Sequence, residues 1–177
     1  MRAFLAIELN EDVADAVARL QAALPCGRAV PRENLHLTVM FLGDQSEDRL
    51  QDLHFELENL AALPFEAAIA GLGSFAGSQP RTVFADVAPN PSLGTLHDRA
   101  VSAARRAGIR TQRRRFHPHI TIARLRRFDS GGDKLETYLA QHADVSLPVL
   151  PVSGFALWSS SLHPDGARYE ILARYQL

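Results

Sequence analysis

The sequence predicts an α+β fold made of two pseudo-symmetric lobes, each a mainly antiparallel sheet with helices on its outer face, and an active-site cleft between them. Three observations carry that reading. A His-x-Thr triplet occurs twice, at His36 to Thr38 and His119 to Thr121. Both triplets lie in strand-like apolar runs. Helix and strand patterns recur in the same order around them, with His119 standing 83 residues after His36. That period is too long for a solenoid and suits two similar lobes facing one another. A chain of 177 residues can build one full core, so residues 1–177 are expected to form a single domain made of two duplicated lobes.

Residues 2–9 read as a buried strand, after which Asn10 caps a helix carrying Val13, Val17, Leu20 and Leu24 at helical spacing. Pro25 to Gly27 ends it. Residues 35–42 form the first His-x-Thr strand, stopped by Gly43-Asp44, and Ser46 caps a helix striped by Leu50, Leu53, Leu57 and Leu60. His54 sits beside that stripe as a surface or boundary residue. Strands over about 65–73 and 82–87 follow, joined by the turn Gly77-Ser-Gln-Pro80. Pro91 and Ser92 open the next helix, with Leu93, Leu96, Ala100, Val101 and Ala104 inward and Gly108 as its stop. Residues 116–123 form the second His-x-Thr strand, where Pro118 favours an edge or a bulge. A helix over Ser130 to His142, with Leu135, Tyr138 and Leu139 inward, precedes strands at about 149–158 and 168–176, separated by His163-Pro-Asp-Gly166. Ser159-Ser-Ser161 reads as a polar strand end.

Composition narrows the class. Apolar residues make up 46% and charged residues 22% of the chain, as in an ordinary folded protein. No run approaches the roughly 20 apolar residues of a membrane span, and Glu8 breaks the opening apolar stretch, so no membrane association and a cytoplasmic location are expected. Cys26 is the only cysteine, which excludes an internal disulfide and cysteine-rich zinc sites. The net charge is only −1, yet Arg99 through Arg127 holds ten arginines and no acid. One reading is a solvated arginine face; the other is a wall whose guanidinium forks bind phosphate.

In a strand, side chains alternate between faces, so His36 shares a face with Thr38 and His119 with Thr121, while Leu37, Val39, Ile120 and Ile122 occupy the core side. Such a pair fits phosphoryl displacement. Entering and leaving oxygens lie roughly in line there, so the base and the acid must approach from opposite sides. Histidine serves both roles because its pKa of about 6.5 leaves both protonation states populated. The threonine hydroxyls can donate to the non-bridging oxygens as negative charge grows on them. No metal or cofactor is needed for this chemistry. His117-Pro-His119 could be two metal ligands, but no third ligand stands at a recognisable spacing, and His117 reads as a cleft-lining residue. No Gly-x-Ser-x-Gly elbow or phosphate-binding Gly-Lys loop is present. A non-catalytic RNA-binding module using the arginine segment stands as the alternative.

The residues resemble a known family. The opening Arg2-Ala-Phe-Leu-Ala-Ile7, Glu33-Asn-Leu-His-Leu-Thr-Val-Met-Phe-Leu-Gly43, Pro80-Arg-Thr-Val-Phe84, Phe116-His-Pro-His-Ile-Thr-Ile-Ala-Arg124 and Ser160-Ser-Leu-His-Pro-Asp-Gly-Ala-Arg-Tyr169 are together similar to the 2H phosphoesterase superfamily. Within it they resemble the RNA 2′,3′-cyclic phosphodiesterases, also called 2′-5′ RNA ligases. The resemblance implies hydrolysis of a terminal 2′,3′-cyclic phosphate to a 2′-phosphate, with ATP-independent 2′-5′ ligation as a reverse side reaction. It implies RNA 3′ ends or cyclic nucleotides as substrates; the chain's length and the two-histidine chemistry add the expectation of a monomer without cofactor. His36 would be the proton donor and His119 the acceptor, Thr38 and Thr121 would hold the phosphate, and Arg124 would contact phosphate or ribose. The chain departs from many relatives in having Ala29-Val30 where an aromatic is common and Met40 where a lysine commonly follows the first motif. By alternation, Met40 is expected on the face of His36 and Thr38, lining the substrate site.

Overall fold

The computed structural model describes residues 1–75, 82–111, 115–125, 132–163 and 166–177. The expected turn over Gly77 to Pro80, residue Arg81, the start of the last helix at Ser130, the turn residues Pro164 and Asp165, and Arg113, Arg114, Arg126 and Arg127 lie outside them.

The N-terminal half contains β1 (Arg2–Glu8), α1 (Glu11–Ala22), β2 (Arg28–Ala29), a 3-10 turn (Arg32–Asn34), β3 (His36–Asp44), α2 (Glu47–Glu58), β4 (Phe65–Ala67) and β5 (Ile69–Ser74). The C-terminal half contains β6 (Thr82–Val87), α3 (Pro91–Arg106), β7 (His119–Arg124), α4 (Gly132–Gln141), β8 (Leu150–Val152), β9 (Gly154–His163) and β10 (Gly166–Gln176). The caps foreseen at Asn10 and Ser46 form: Asn10 Oδ1 accepts from Val13 N at 3.3 Å and Ser46 Oγ from Arg49 N at 3.4 Å. The strand expected at 65–73 divides into β4 and β5, and that at 149–158 divides into β8 and β9, because β4 and β8 leave the main sheet to pair with each other. The strand expected from 116 begins only at His119, since Pro118 has no N–H to donate to a ladder.

The main sheet runs β10-β9-β1-β3-β7-β6-β5, with β2 beside β7, and its pairings are antiparallel. The two His-x-Thr strands therefore lie side by side at its centre. Each flank borrows a strand: β1 of the N-terminal half is flanked by β9 of the C-terminal half, and β6 of the C-terminal half by β5 of the N-terminal half. The two halves of the chain thus exchange strands within one sheet. Helices cross over too, as α3 packs on β3 while α1 packs on β7.

One apolar cluster spans both halves beneath the helices and includes Val13, Val17, Leu37, Val39, Leu53, Leu93, Leu96, Ile120, Ile122 and Leu135. A smaller cluster of Phe4, Ala6, Ala156 and Trp158 lies apart from it, on the alternate positions of β1 and β9. Gly27 lets the chain close onto β7: its φ is +87°, and a Cβ there would come 2.5 Å from Leu125 and 3.0 Å from the Arg124 carbonyl.

The central strands meet through a single residue pair, Leu37 with Ile120, both fully buried. Continuing that register would set Val39 against Pro118, which offers no donor, and Ile122 against Leu35, whose N–H is already given to Arg32 O at 3.1 Å. The strands consequently part on either side of the pair. Leu37→Ala removes the packing at this junction and is expected to lower the unfolding free energy by about 2–5 kcal/mol, read as a lower urea midpoint at unchanged slope.

Candidate active site

Both histidines are fixed in the same way. His36 Nδ1 lies 2.7 Å from the carbonyl of Asn34, and His119 Nδ1 lies 2.7 Å from the carbonyl of His117. A carbonyl can only accept, so each Nδ1 carries the hydrogen and each Nε2 is the nitrogen left for proton exchange. The register through Leu37 and Ile120 sets His36 across from Thr121 and Thr38 across from His119. Each threonine thus stands beside the other motif's histidine as well as two residues along from its own.

Identical β-bulges then reset the alternation. Leu5 pairs with Met40 and Ala6 with Thr38, leaving Val39 as an inserted residue; Val83 pairs with Ala123 and Phe84 with Thr121, leaving Ile122 inserted. Beyond each bulge the faces exchange, so Met40 and Ala123 turn into the core, at 5% and 0% exposure, while Phe41 and Arg124 come onto the histidine face. Met40 therefore does not line the site. Simple alternation failed there because it cannot see an inserted residue, and by the same device Arg124, which alternation alone would have turned away from His119, joins it.

The surroundings of the two histidines differ. His36 is enclosed by Phe4, Tyr169 and Trp158, with ring centroids at 4.9, 5.4 and 6.1 Å. Burial in that aromatic pocket lowers its pKa to about 4; the Asn34 carbonyl opposes the shift, and Arg124 and His119 add to it. His119 packs against Phe75 at 4.8 Å and Phe84 at 5.3 Å and is also lowered by burial, opposed by the His117 carbonyl and by the carboxylate of Asp86. Asp86 holds His117 Nε2 at 2.8 Å, whereas the equivalent Glu8 on β1 is taken by Arg174 at 2.9 and 3.0 Å. His117 acts through its carbonyl on His119 and through its ring on Asp86.

Asn34, Asp86, Phe4, Phe75, Phe84, Trp158 and Tyr169 were not singled out from sequence. An offset of two residues before each histidine was the available signal for Asn34, since His117 shares it. The buried Asn34 also donates from Nδ2 to Ala167 O at 2.9 Å, which ties the loop before His36 to the β9–β10 hairpin.

The described arginines of the run do not form one wall. Arg105 and Arg106 end α3 in the helix layer, where Arg106 pairs with Glu56 at 2.5 Å, and among the described arginines of the run Arg124 is placed on the histidine face by its bulge. Among the described residues, no group of three His, Cys, Asp or Glu side chains is placed to hold a metal ion, and no helix is long and apolar enough to cross a membrane.

Two histidine-threonine strands side by side at the centre of an antiparallel sheet, helices on the opposite face, define a 2H phosphoesterase fold. The family model of the 2′-5′ RNA ligase superfamily matches residues 9–164, and the chain belongs to that superfamily. It is 28% identical to the RNA 2′,3′-cyclic phosphodiesterase of Methanocaldococcus jannaschii, covering 99% of this chain and 100% of that one, and 32% identical to that of Thermus thermophilus, covering 100% and 90%. Among solved structures it superposes on a Thermus thermophilus protein with a TM-score of 0.84 at 30% identity, covering 100% and 98% of the chains. It superposes on E. coli LigT complexed with 3′-AMP with a TM-score of 0.79 at 27% identity, covering 99% and 96%.

The depressed pKa of His36 makes stability pH-dependent in a definite sense. The unfolded chain takes up this proton near pH 6.5 and the folded protein only near 4, so the stability contributed by neutral His36 is present above 6.5 and lost as pH falls toward 4. Against a His36→Asn variant, the native protein should lose up to roughly 3 kcal/mol more between pH 7.5 and 4. Parallel urea titrations across that range would measure it, and equal slopes would contradict the burial argument.

Proposed function

We propose that this chain is an RNA 2′,3′-cyclic phosphodiesterase, a hydrolase that opens a terminal cyclic phosphate to a 2′-phosphate with His36 and His119 as its acid/base pair. The observation that carries the proposal is the duplicated geometry of the two imidazoles: each Nδ1 is committed to a carbonyl two residues upstream, which leaves two Nε2 atoms on one sheet face. The family membership and the names of the relatives support the same reaction. Water attacks phosphorus as one Nε2 takes its proton; the bond to the ribose 3′ oxygen breaks as the other Nε2 delivers one. Thr38 and Thr121 donate to the non-bridging oxygens, and Arg124 neutralises them. The same steps in the same direction, with a 5′-hydroxyl attacking phosphorus in place of water and giving its proton to the same Nε2, break the bond to the 3′ oxygen and leave a 2′-5′ linkage, which is ligation as a side activity. None of these steps calls on a metal ion.

The roles need not be equal in the empty site. His36 is depressed more strongly than His119, and Asp86 lies near His119, so a single proton resides preferentially on His119. For His36 to enter as the donor, the assignment that the family resemblance implies, a bound phosphate anion must offset Arg124 and raise it. Phe41, 67% exposed, and Phe75, 41% exposed, offer stacking faces for bases on the two sides of the histidines. The alternative of a non-catalytic RNA-binding module draws no support from the described arginines, which are dispersed over both layers.

Purified protein should open 2′,3′-cyclic AMP, or a short RNA ending in a cyclic phosphate, in the presence of EDTA. His36→Ala and His119→Ala should each lower kcat by about 10²–10⁴-fold; full activity in the double variant would sink the proposal. A substrate with sulfur at the bridging 3′ position releases a thiolate that needs no proton, so it should rescue only the variant lacking the donor, His36→Ala under the assignment above. Because both imidazoles are depressed, kcat/KM should peak below pH 6.5, the ordinary histidine value, and fall on the alkaline side as the acid loses its proton. An optimum above pH 8 would contradict the pairing.

A further inference from the structure

At the two bulges, where β3 and β7 part, the carbonyls of the inserted residues Val39 and Ile122 are each met by a side chain from the helix layer. His97 of α3 places Nδ1 2.9 Å from Val39 O, and Gln21 of α1 places Nε2 2.9 Å from Ile122 O. The acceptors are carbonyls, so both side chains donate. Gln21 also gives its second amide hydrogen to Val30 O at 2.8 Å, and Val30 N itself reaches Ile122 O at 2.9 Å, so that one amide joins the β2 segment to the bulge. His97 is held for its task by a parallel stack on Phe116, with centroids 4.1 Å apart and planes 6° from coplanar.

We propose that Gln21 and His97 are positioning residues for the cyclic phosphate: by holding the carbonyls of the two inserted residues, they keep the bulges that turn Arg124 and Phe41 onto the histidine face. This rests on the phosphodiesterase reading of that face. The two pins act on different parts of a substrate. Gln21 secures the bulge before Arg124 and so governs phosphate binding, whereas His97 secures the bulge before Phe41 and so governs contact with the base. A bulge without its pin can shed the inserted residue by a one-position slip, which returns the next side chains to the opposite faces.

The test uses Gln21→Met, which keeps length without a donor, and His97→Phe, which keeps the stack on Phe116 without a donor. Gln21→Met should raise the KM for 2′,3′-cyclic AMP and weaken inorganic phosphate binding by calorimetry, each about tenfold, with the acid limb of the kcat profile unchanged. In an Arg124→Ala background the same substitution should add nothing, since the group it positions is gone. His97→Phe should raise the KM for cyclic AMP while leaving inorganic phosphate affinity as it was. Additive effects of Gln21→Met and Arg124→Ala, or equal effects of the two pins on phosphate, would overturn the proposal. Crystal structures of both variants decide it even if the protein proves inactive on cyclic phosphates: Arg124 and Phe41 still on the histidine face in both would overturn it, and a lost Ile122 or Val39 bulge would support it. Absence of turnover in the unaltered protein would instead count against the phosphodiesterase reading.

Discussion

The arrangement depends on the one point at which the central strands touch. Leu37 and Ile120 pair, and neither strand can extend the ladder: one direction meets Pro118, the other meets a Leu35 amide already committed to the 3-10 turn. A longer ladder would draw β3 and β7 into ordinary contact along their length. With one pair, the backbones are locked at the level of His36, Thr38, His119 and Thr121 and separate above and below it, so the four polar side chains are registered against one another while room opens beside them. Two apolar residues fully buried beneath the helices thereby fix the spacing of groups on the opposite face.

On that common frame the halves differ in ways that give two chemically distinct imidazoles. Both take their orientation from a carbonyl two residues upstream, but Asn34 spends its side chain on the β9–β10 hairpin, whereas His117 spends its ring on Asp86. The equivalent acid, Glu8, is neutralised by Arg174. His36 is therefore surrounded by rings with a cation nearby, and His119 by rings with an acid nearby. Burial is the main cause in both and depresses His36 the more; Arg124 adds to that depression at His36, whereas Asp86 opposes it in part at His119. An acid/base pair needs such inequality, since two identical groups would compete for the same proton.

Much of this was legible in the sequence. The two His-x-Thr strands, the caps at Asn10 and Ser46 and the helix stripes rest on local periodicity, and the structure reproduces them. The strand exchange was not legible, because β5 and β9 carry no mark saying which half they will join; partner choice is set by tertiary packing. Met40 was misplaced for a more specific reason. Alternation has a period of two only while the ladder is regular, and a bulge changes its phase without leaving a glycine or proline as a flag. The duplication held the missing clue: Phe41 and Arg124 each stand three residues after a motif threonine, whereas Met40 and Ala123 stand two after. The aromatic pocket of His36 was hidden because Phe4, Trp158 and Tyr169 come from three strands distant in sequence.

Strand exchange also bears on how firmly the two motifs are held. Had each half closed its own sheet, the histidines would face one another across a lobe interface, free to move as the lobes rock, and interfaces of that kind are the usual place for relative motion. Here β1 is bound to β9 and β6 to β5, each pair linking the two halves of the chain by backbone hydrogen bonds, and α1 and α3 each cover the other half's motif strand. Separating the motifs would require breaking ladders as well as the apolar cluster that runs through both halves. The distance between the two imidazoles is thus set by strand spacing in a continuous sheet, a quantity that varies by tenths of an ångström. What can still vary is the phase of each strand beyond its threonine, and that is where the helix layer places Gln21 and His97.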